Sequence, residues 1–224
     1  MQKVYIFGDC HTARLQEHMD PKDLQVDLKM WGKAGTNIWH LDLETLLKDN
    51  TESSGVETYA KTGIAREDTI VGFSEIKDDG IVMPWVGYVD IRQFLPRYKN
   101  ADEVAKKYVE EVMKNYPNSK IWFIEPLPQF TEMLLKYEGI SPSYTYEERQ
   151  NQNDLFIESL SKYCLENNLS QPISQQEIYD AVGVQEFTTD MTPQDRPHPT
   201  DCLTRSDMEK IYNLVINKIQ NSLT

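Results

Sequence analysis

The sequence predicts an α/β fold with a mostly parallel sheet. Two observations carry that expectation. Short apolar runs of β type alternate with stretches of helical periodicity. Apolar residues make up 39% of the 224 residues, with aromatics spread along the chain and no low-complexity tract, which is enough for a real core. No repeat, linker or shift of composition marks a boundary, so residues 1–224 are read as one domain.

The elements follow in order. Residues 4–7 form a short continuous run suited to a central buried strand, broken by Gly8. A helix-like stretch runs from 12 to about 19 and stops at Asp20-Pro21. Residues 24–31 alternate Leu24, Val26, Leu28 and Met30 with polar neighbours, as a half-buried strand does. Gly32 and Gly35 bracket the turn after it, and 38–47 reads as a helix with Asn37 as its cap. A looser, polar insertion occupies about 49–66. Residues 69–76 and 81–91 look like strands joined by Asp78-Asp79-Gly80, a hairpin signal. The clearest helix is 100–116, with Asn100 and Glu103 as a capping box, Ala105, Val109, Val112 and Tyr116 on one face, and Pro117 at its end. Residues 121–124 are the next buried strand, closed by Pro126, and 126–145 meander. Helices are expected over 146–168 and 206–223, the latter capped by Ser206 with Glu209 and striped by Met208, Ile211, Tyr212, Val215 and Ile219.

Charge narrows the functional classes. A formal net charge of −13 makes the chain a poor nonspecific ligand for nucleic acid or an anionic membrane. No apolar run approaches the ~20 residues of a membrane span. The apolar run at the start is too short for a signal peptide and no small-residue cleavage site follows it. Cys10, Cys164 and Cys202 are too few and too scattered for a disulfide framework, so a reducing cytoplasm is the simplest location.

In an open α/β sheet, ligands bind at the carboxyl ends of the strands. The loops there hold Gly8-Asp9-Cys10-His11-Thr12, then Gly32 to Asn37, then Gly87 to Arg92. Asp195-Arg196-Pro197-His198 stands before the last helix. In this order and spacing the blocks resemble the SGNH (GDSL-type) hydrolase family. Gly8-Asp9-Cys10 stands for its Gly-Asp-Ser, with cysteine in place of serine, and Asp195/His198 for its Asp-x-x-His. Gly35 corresponds to the oxyanion glycine of the second block. The third block, Gly-x-Asn-Asp in the family, is best matched by Gly87-Tyr88-Val89-Asp90, which lacks the asparagine; Gly72-Phe73-Ser74-Glu75 is a weaker match. The resemblance covers residues 4 to about 220. It implies a three-layer α/β/α sandwich of the SGNH/flavodoxin-like kind and an ester hydrolase without metal or organic cofactor. The implied substrate is a small-molecule or glycan ester such as an O-acetyl group.

The chemistry expected of these residues is consistent. Cys10 at a strand-to-helix turn would be the nucleophile, His198 the base, and Asp195 the group that sets the histidine tautomer. The backbone N–H groups of Cys10 and Gly35 would form the oxyanion hole. A thiol of ordinary pKa near 8.5 falls by one to several units beside an imidazolium or a helix N-terminus. Asp90, Arg92 and His11 are candidates for substrate contact, with an Asp90–Arg92 ion pair and a packed His11 as the plainer readings. His18 and His40 read as ordinary helix residues. No His/Cys/carboxylate spacing suits zinc, and Gly32-x-x-Gly35 lacks the Lys-Ser/Thr of a phosphate loop. A buried Cys10 is the common fate of a free cysteine. A degenerate binding or assembly protein, and an acyltransferase with an acyl-cysteine intermediate, stand as alternatives.

Overall fold

Strand β1 spans Gln2–Gly8, and Val4, Tyr5, Ile6 and Phe7 in its centre are all buried. Val4 and Ile6 enter one apolar layer, Tyr5 and Phe7 the opposite one. Burial on both faces is what makes the run read as continuous rather than alternating. In this computed structural model, residues 1–9, 11–13, 15, 26–33, 35–53, 70–126, 144–182 and 205–221 are described. Strand β1 pairs with β2 (Val26–Gly32) on one side and with β3 (Ile81–Trp85) on the other. Strand β4 (Lys120–Ile121) lies beyond β3, giving the all-parallel order β2-β1-β3-β4. Single parallel bridges widen both edges, Met30 with Ile70 and Ile124 with Ile173.

Parallel neighbours need crossover connections, which place helices on both faces. The helices are α1 (Leu43–Asp49), α2 (Leu95–Tyr98), α3 (Ala101–Asn115), α4 (Tyr146–Glu166), α5 (Gln175–Val182) and α6 (Arg205–Asn221). Tyr5, Phe7, Trp31 and Val82 pack with Leu43 of α1, Tyr108 and Val112 of α3, and Phe156 and Leu160 of α4. Val4, Ile6, Met30 and Met83 pack with Ile178 of α5 and Ile211, Val215 and Ile219 of α6. The result is the expected three-layer α/β/α sandwich.

Five expectations are corrected. The hairpin over 69–91 is absent: Phe73–Glu75 is a 3-10 turn, and β3 runs parallel to β1 with Val4 opposite Ile81. Asp78 and Asp79 tie the loop down instead of turning it back. Asp78 accepts from Asn118 N–H at 2.9 Å, and Asp79 accepts from Tyr5 Oη–H at 2.6 Å and from the Lys3 ammonium. The strand expected to reach residue 91 ends at Trp85, and the chain turns helical through a π-turn over Asp90–Phe94 into α2. The helix expected from 38 begins at Leu43, because Asp42, not Asn37, accepts from Thr45 N–H at 3.0 Å. Asn100 precedes α3 without a side-chain cap, and Ser206 lies inside α6 rather than before it. Helix α5 was not foreseen, although Ser174 and Glu177 form a reciprocal pair, Ser174 N–H to Glu177 Oε2 at 3.1 Å and Glu177 N–H to Ser174 Oγ at 3.2 Å. The stretches expected at 12–19 (in part), 54–66 and 127–143 lie outside the described residues.

Candidate active site

The site starts from two glycines in register at the carboxyl ends of β1 and β2, Gly8 opposite Gly32. A Cβ on Gly8 would stand 2.1 Å from Trp85 O, and one on Gly32 would stand 2.2 Å from Ala13 N. Their lack of side chains lets the helical segment beginning at residue 11 seat its backbone directly on the strand ends.

Asp9 is the hub of this turn. It is buried, its N–H donates to Trp85 O at 3.2 Å, and its carbonyl accepts from Ala13 N–H at 3.2 Å. Its Oδ1 accepts from His11 N–H at 3.0 Å and its Oδ2 from Tyr88 N–H at 3.3 Å. One short carboxylate therefore fixes the turn after β1 and joins it to the turn after β3. His11 is buried too, its ring stacked on Trp85 at 5.8 Å and edge-on to Tyr88 at 4.5 Å, with Nδ1 at 3.3 Å from Asp9 Oδ1.

Gly35 lies in the turn after β2 with φ +83°, a left-handed backbone that favours glycine. Among the described residues nothing lies within 4 Å of where its Cβ would be, so the glycine serves the backbone angle and leaves open space beside it. That space is a cavity of about 320 Å³, walled by the loop after β2 and the start of α1.

Asp90 holds this loop from the other side. It is fully buried and accepts from Ile38 N–H at 2.8 Å and Trp39 N–H at 3.1 Å. Burial pushes its pKa up to about 7; the backbone donors of Ile38 and Trp39 oppose the rise, and the negative charge of Asp9 adds to it. Through Asp9 and Asp90, the turns after β1, β2 and β3 are bonded into one unit. Gly87, just ahead of Tyr88, takes φ +133° and packs beneath Pro126. The segment Gly87–Asp90 thus stands with the other two blocks. Gly72–Glu75 precedes β3 and is tied to Asn50, which accepts from Ser74 N–H at 3.1 Å.

Cys10, His198 and Asp195 lie outside the described residues, as does the side chain of Arg92, whose backbone is in the π-turn. Sequence reasoning missed a second buried polar group nearby. Glu125 accepts from Gln175 N–H at 2.6 Å, and Gln175 and Asn153 exchange amide hydrogen bonds at 2.9 and 3.2 Å. Burial pushes Glu125 up to about 7. Only the Ser174-x-x-Glu177 signature hinted at a helix start there.

No protein-family model matches the chain, and no curated protein matches it. Solved structures do. The lipase/acylhydrolase of Enterococcus faecalis superposes with TM-score 0.55 at 16% identity, covering 99% of this chain and 97% of that one. A protein of Streptococcus pneumonia provisionally named as a platelet activating factor superposes with TM-score 0.51 at 15% identity, over 96% of this chain and 82% of that one. The chain has an SGNH/GDSL-like fold.

Proposed function

We propose that the protein is an SGNH-type hydrolase of small acyl esters, working through a Cys10–His198–Asp195 triad. The observation that supports this reading is the convergence of the first three blocks: Asp9, Gly35 and Gly87–Asp90 meet at the carboxyl ends of β1, β2 and β3, bonded through two buried carboxylates. Cys10 follows Asp9 directly in the chain. In the proposed cycle, the Cys10 thiolate attacks the ester carbonyl, and the N–H groups of Cys10 and Gly35 hold the oxyanion. His198, protonated and oriented by Asp195, gives its proton to the departing alcohol, then takes one from the water that releases the acyl group from sulfur. No cofactor is assigned. The substrate side includes O-acetyl groups on glycans, with no nucleic acid or membrane partner. Among the described residues no helix is long and apolar enough to cross a membrane; a cytoplasmic setting is part of the proposal.

The test is a chromogenic acetyl-ester assay on the protein, Cys10→Ser and Cys10→Ala. Removing the nucleophile should cut kcat by roughly a thousandfold or more. Full activity in Cys10→Ala refutes the nucleophile. A second reading, a degenerate binder on the same scaffold, is favoured by Val89, a buried apolar residue where the family's third block has asparagine. Activity in Cys10→Ser alone would select it.

Thiol reactivity gives a substrate-free check. Cys164 is buried and its thiol is pushed up to about 12 by that burial, so iodoacetamide should leave it untouched at neutral pH. Cys10 should be labelled at about pH 6.5, where an unperturbed thiol is about 1% ionised. His198→Ala should slow that labelling. Equal rates at Cys10 and Cys164 in the native protein would sink the activated thiolate.

A further inference from the structure

The cavity beside Gly35 has an apolar base and a hydrogen-bonding rim. Trp31, Leu41 and Leu46 form the base, with Trp31 fully buried and fixed by its indole N–H to Thr51 O at 2.8 Å. Lys33, Thr36 and His40 line the rim. Among the described residues, the side chains of Lys33 and Thr36 have no hydrogen-bond partner. His40 is oriented by its neighbour. Asn37 donates through Nδ2 to Gly35 O at 3.1 Å, which fixes its Oδ1 as an acceptor toward His40 N–H at 3.0 Å and toward Nδ1 at 3.2 Å. With Oδ1 as the acceptor, Nδ1 is the donor in this contact, and the tautomer that fits it leaves Nε2 as an acceptor.

The rim thus offers an ammonium donor, a hydroxyl that works both ways and an imidazole acceptor. Asp42 on the same rim offsets the charge of Lys33, so the mouth has no net preference for an anion. An alkyl chain would strip water from these groups and return nothing. A hydroxyl-rich group would pair with each of them and lay its C–H face on the apolar base. The volume is at the small end of ligand pockets, roughly 300–1,000 Å³, and suits one ring rather than a long chain. One residue along, Trp39 stacks on Tyr98 at 5.1 Å with 8° between the rings, and both are exposed, at 37% and 46%. Exposed aromatic faces beside a polar cavity are a surface that accepts the flat C–H face of a further ring.

We propose that this cavity is the subsite for the alcohol side of the ester and that the alcohol is a single sugar-sized, hydroxyl-rich ring. The assignment of the ring as a leaving group rests on the ester-hydrolase reading; its binding does not. The test is therefore a binding experiment without turnover. The His40 imidazole resonance, assigned by its loss in His40→Gln, is followed by NMR at fixed pH during titration with methyl β-D-glucopyranoside and, separately, with 1-hexanol. A saturable shift with the glucoside, with Kd on the order of millimolar, and none with hexanol is the expected result. Lys33→Met and Thr36→Val, both changes on the rim, should each weaken glucoside binding about tenfold. Saturation by hexanol, or no shift with either probe, overturns the subsite. The chromogenic ester assay is run alongside; absence of turnover with an intact glucoside shift would refute the hydrolase and leave the sugar subsite standing.

Discussion

Gly8→Ala is expected to yield no stably folded protein at 25 °C. The added methyl would stand 2.1 Å from Trp85 O and 2.2 Å from Thr12 Oγ1. The threonine side chain can rotate away, but the carbonyl cannot: it already accepts Asp9 N–H at 3.2 Å at the end of the β1–β3 ladder. Relief requires parting β1 from β3 at the point where the first and third blocks meet. Overpacking in a tight interior costs about 1–3 kcal/mol, and here the lost Asp9 hydrogen bonds add about 1–3 kcal/mol for each buried group left unpaired. The sum approaches the whole stability of an ordinary domain, about 5–15 kcal/mol. Urea unfolding followed by far-UV circular dichroism measures it. A midpoint within experimental error of the parent protein would show that the strand ends part cheaply and that the turn is not held as described.

Asp90→Ala should be nearly as damaging, and its pH signature is specific. The change leaves Ile38 N–H buried without its acceptor, a loss of about 1–3 kcal/mol, and takes the acceptor from the part-buried Trp39 N–H as well. It also frees the loop that carries Gly35, so the ester turnover proposed above should fall together with stability. Asp90→Asn keeps one acceptor and removes the titration. The folded pKa of Asp90 is raised from 3.8 to about 7, so between those values the folded protein holds a proton the unfolded chain has lost. Its stabilising contribution is complete below the unfolded pKa and is lost as pH rises through 7, at most about 4 kcal/mol for a shift of some three units. Glu125, raised from 4.5 to about 7 by burial, acts with the same sign. The protein should therefore melt at a higher temperature at pH 5 than at pH 8. Asp90→Asn should flatten that slope and leave the part due to Glu125. A slope unchanged by Asp90→Asn would place the titration elsewhere.

Much of this scaffold was legible in the sequence where a pattern had one solution. The 3.6-residue stripe Ala105, Val109, Val112 could only be a helix face, and α3 buries all three. The first strand, the second strand and α4 were located to within a few residues for the same reason. The stretch 81–91 failed because residues 81–91 are all buried, and a run buried on every side carries no period to separate strand from helix. The loop blocks were readable as short motifs, but the work of Asp90 was not. From the sequence it was a substrate contact or a partner for Arg92. In the fold both its oxygens serve backbone donors 51 and 52 residues away in the chain. Local sequence cannot announce a long-range acceptor. Likewise Asp9 looked like a motif residue, and only the register of β1 with β3 puts Tyr88 N–H within its reach.

The placement of α6 has a consequence for synthesis. Val4 and Ile6 share their apolar layer with Ile211, Val215 and Ile219, more than 200 residues later in the chain. On the ribosome, one face of β1 therefore waits for more than 200 further residues before it is fully covered. The β1–β3 pairing also needs more than 75 intervening residues, since Val4 sits opposite Ile81. Such nonlocal closure is slow, and a half-covered parallel sheet exposes sticky surface while it waits. The nascent protein is thus a natural client for chaperones that shield apolar strands. The expected result of fast overexpression is a larger insoluble fraction than slow expression gives, measured by fractionating lysates, however stable the finished fold.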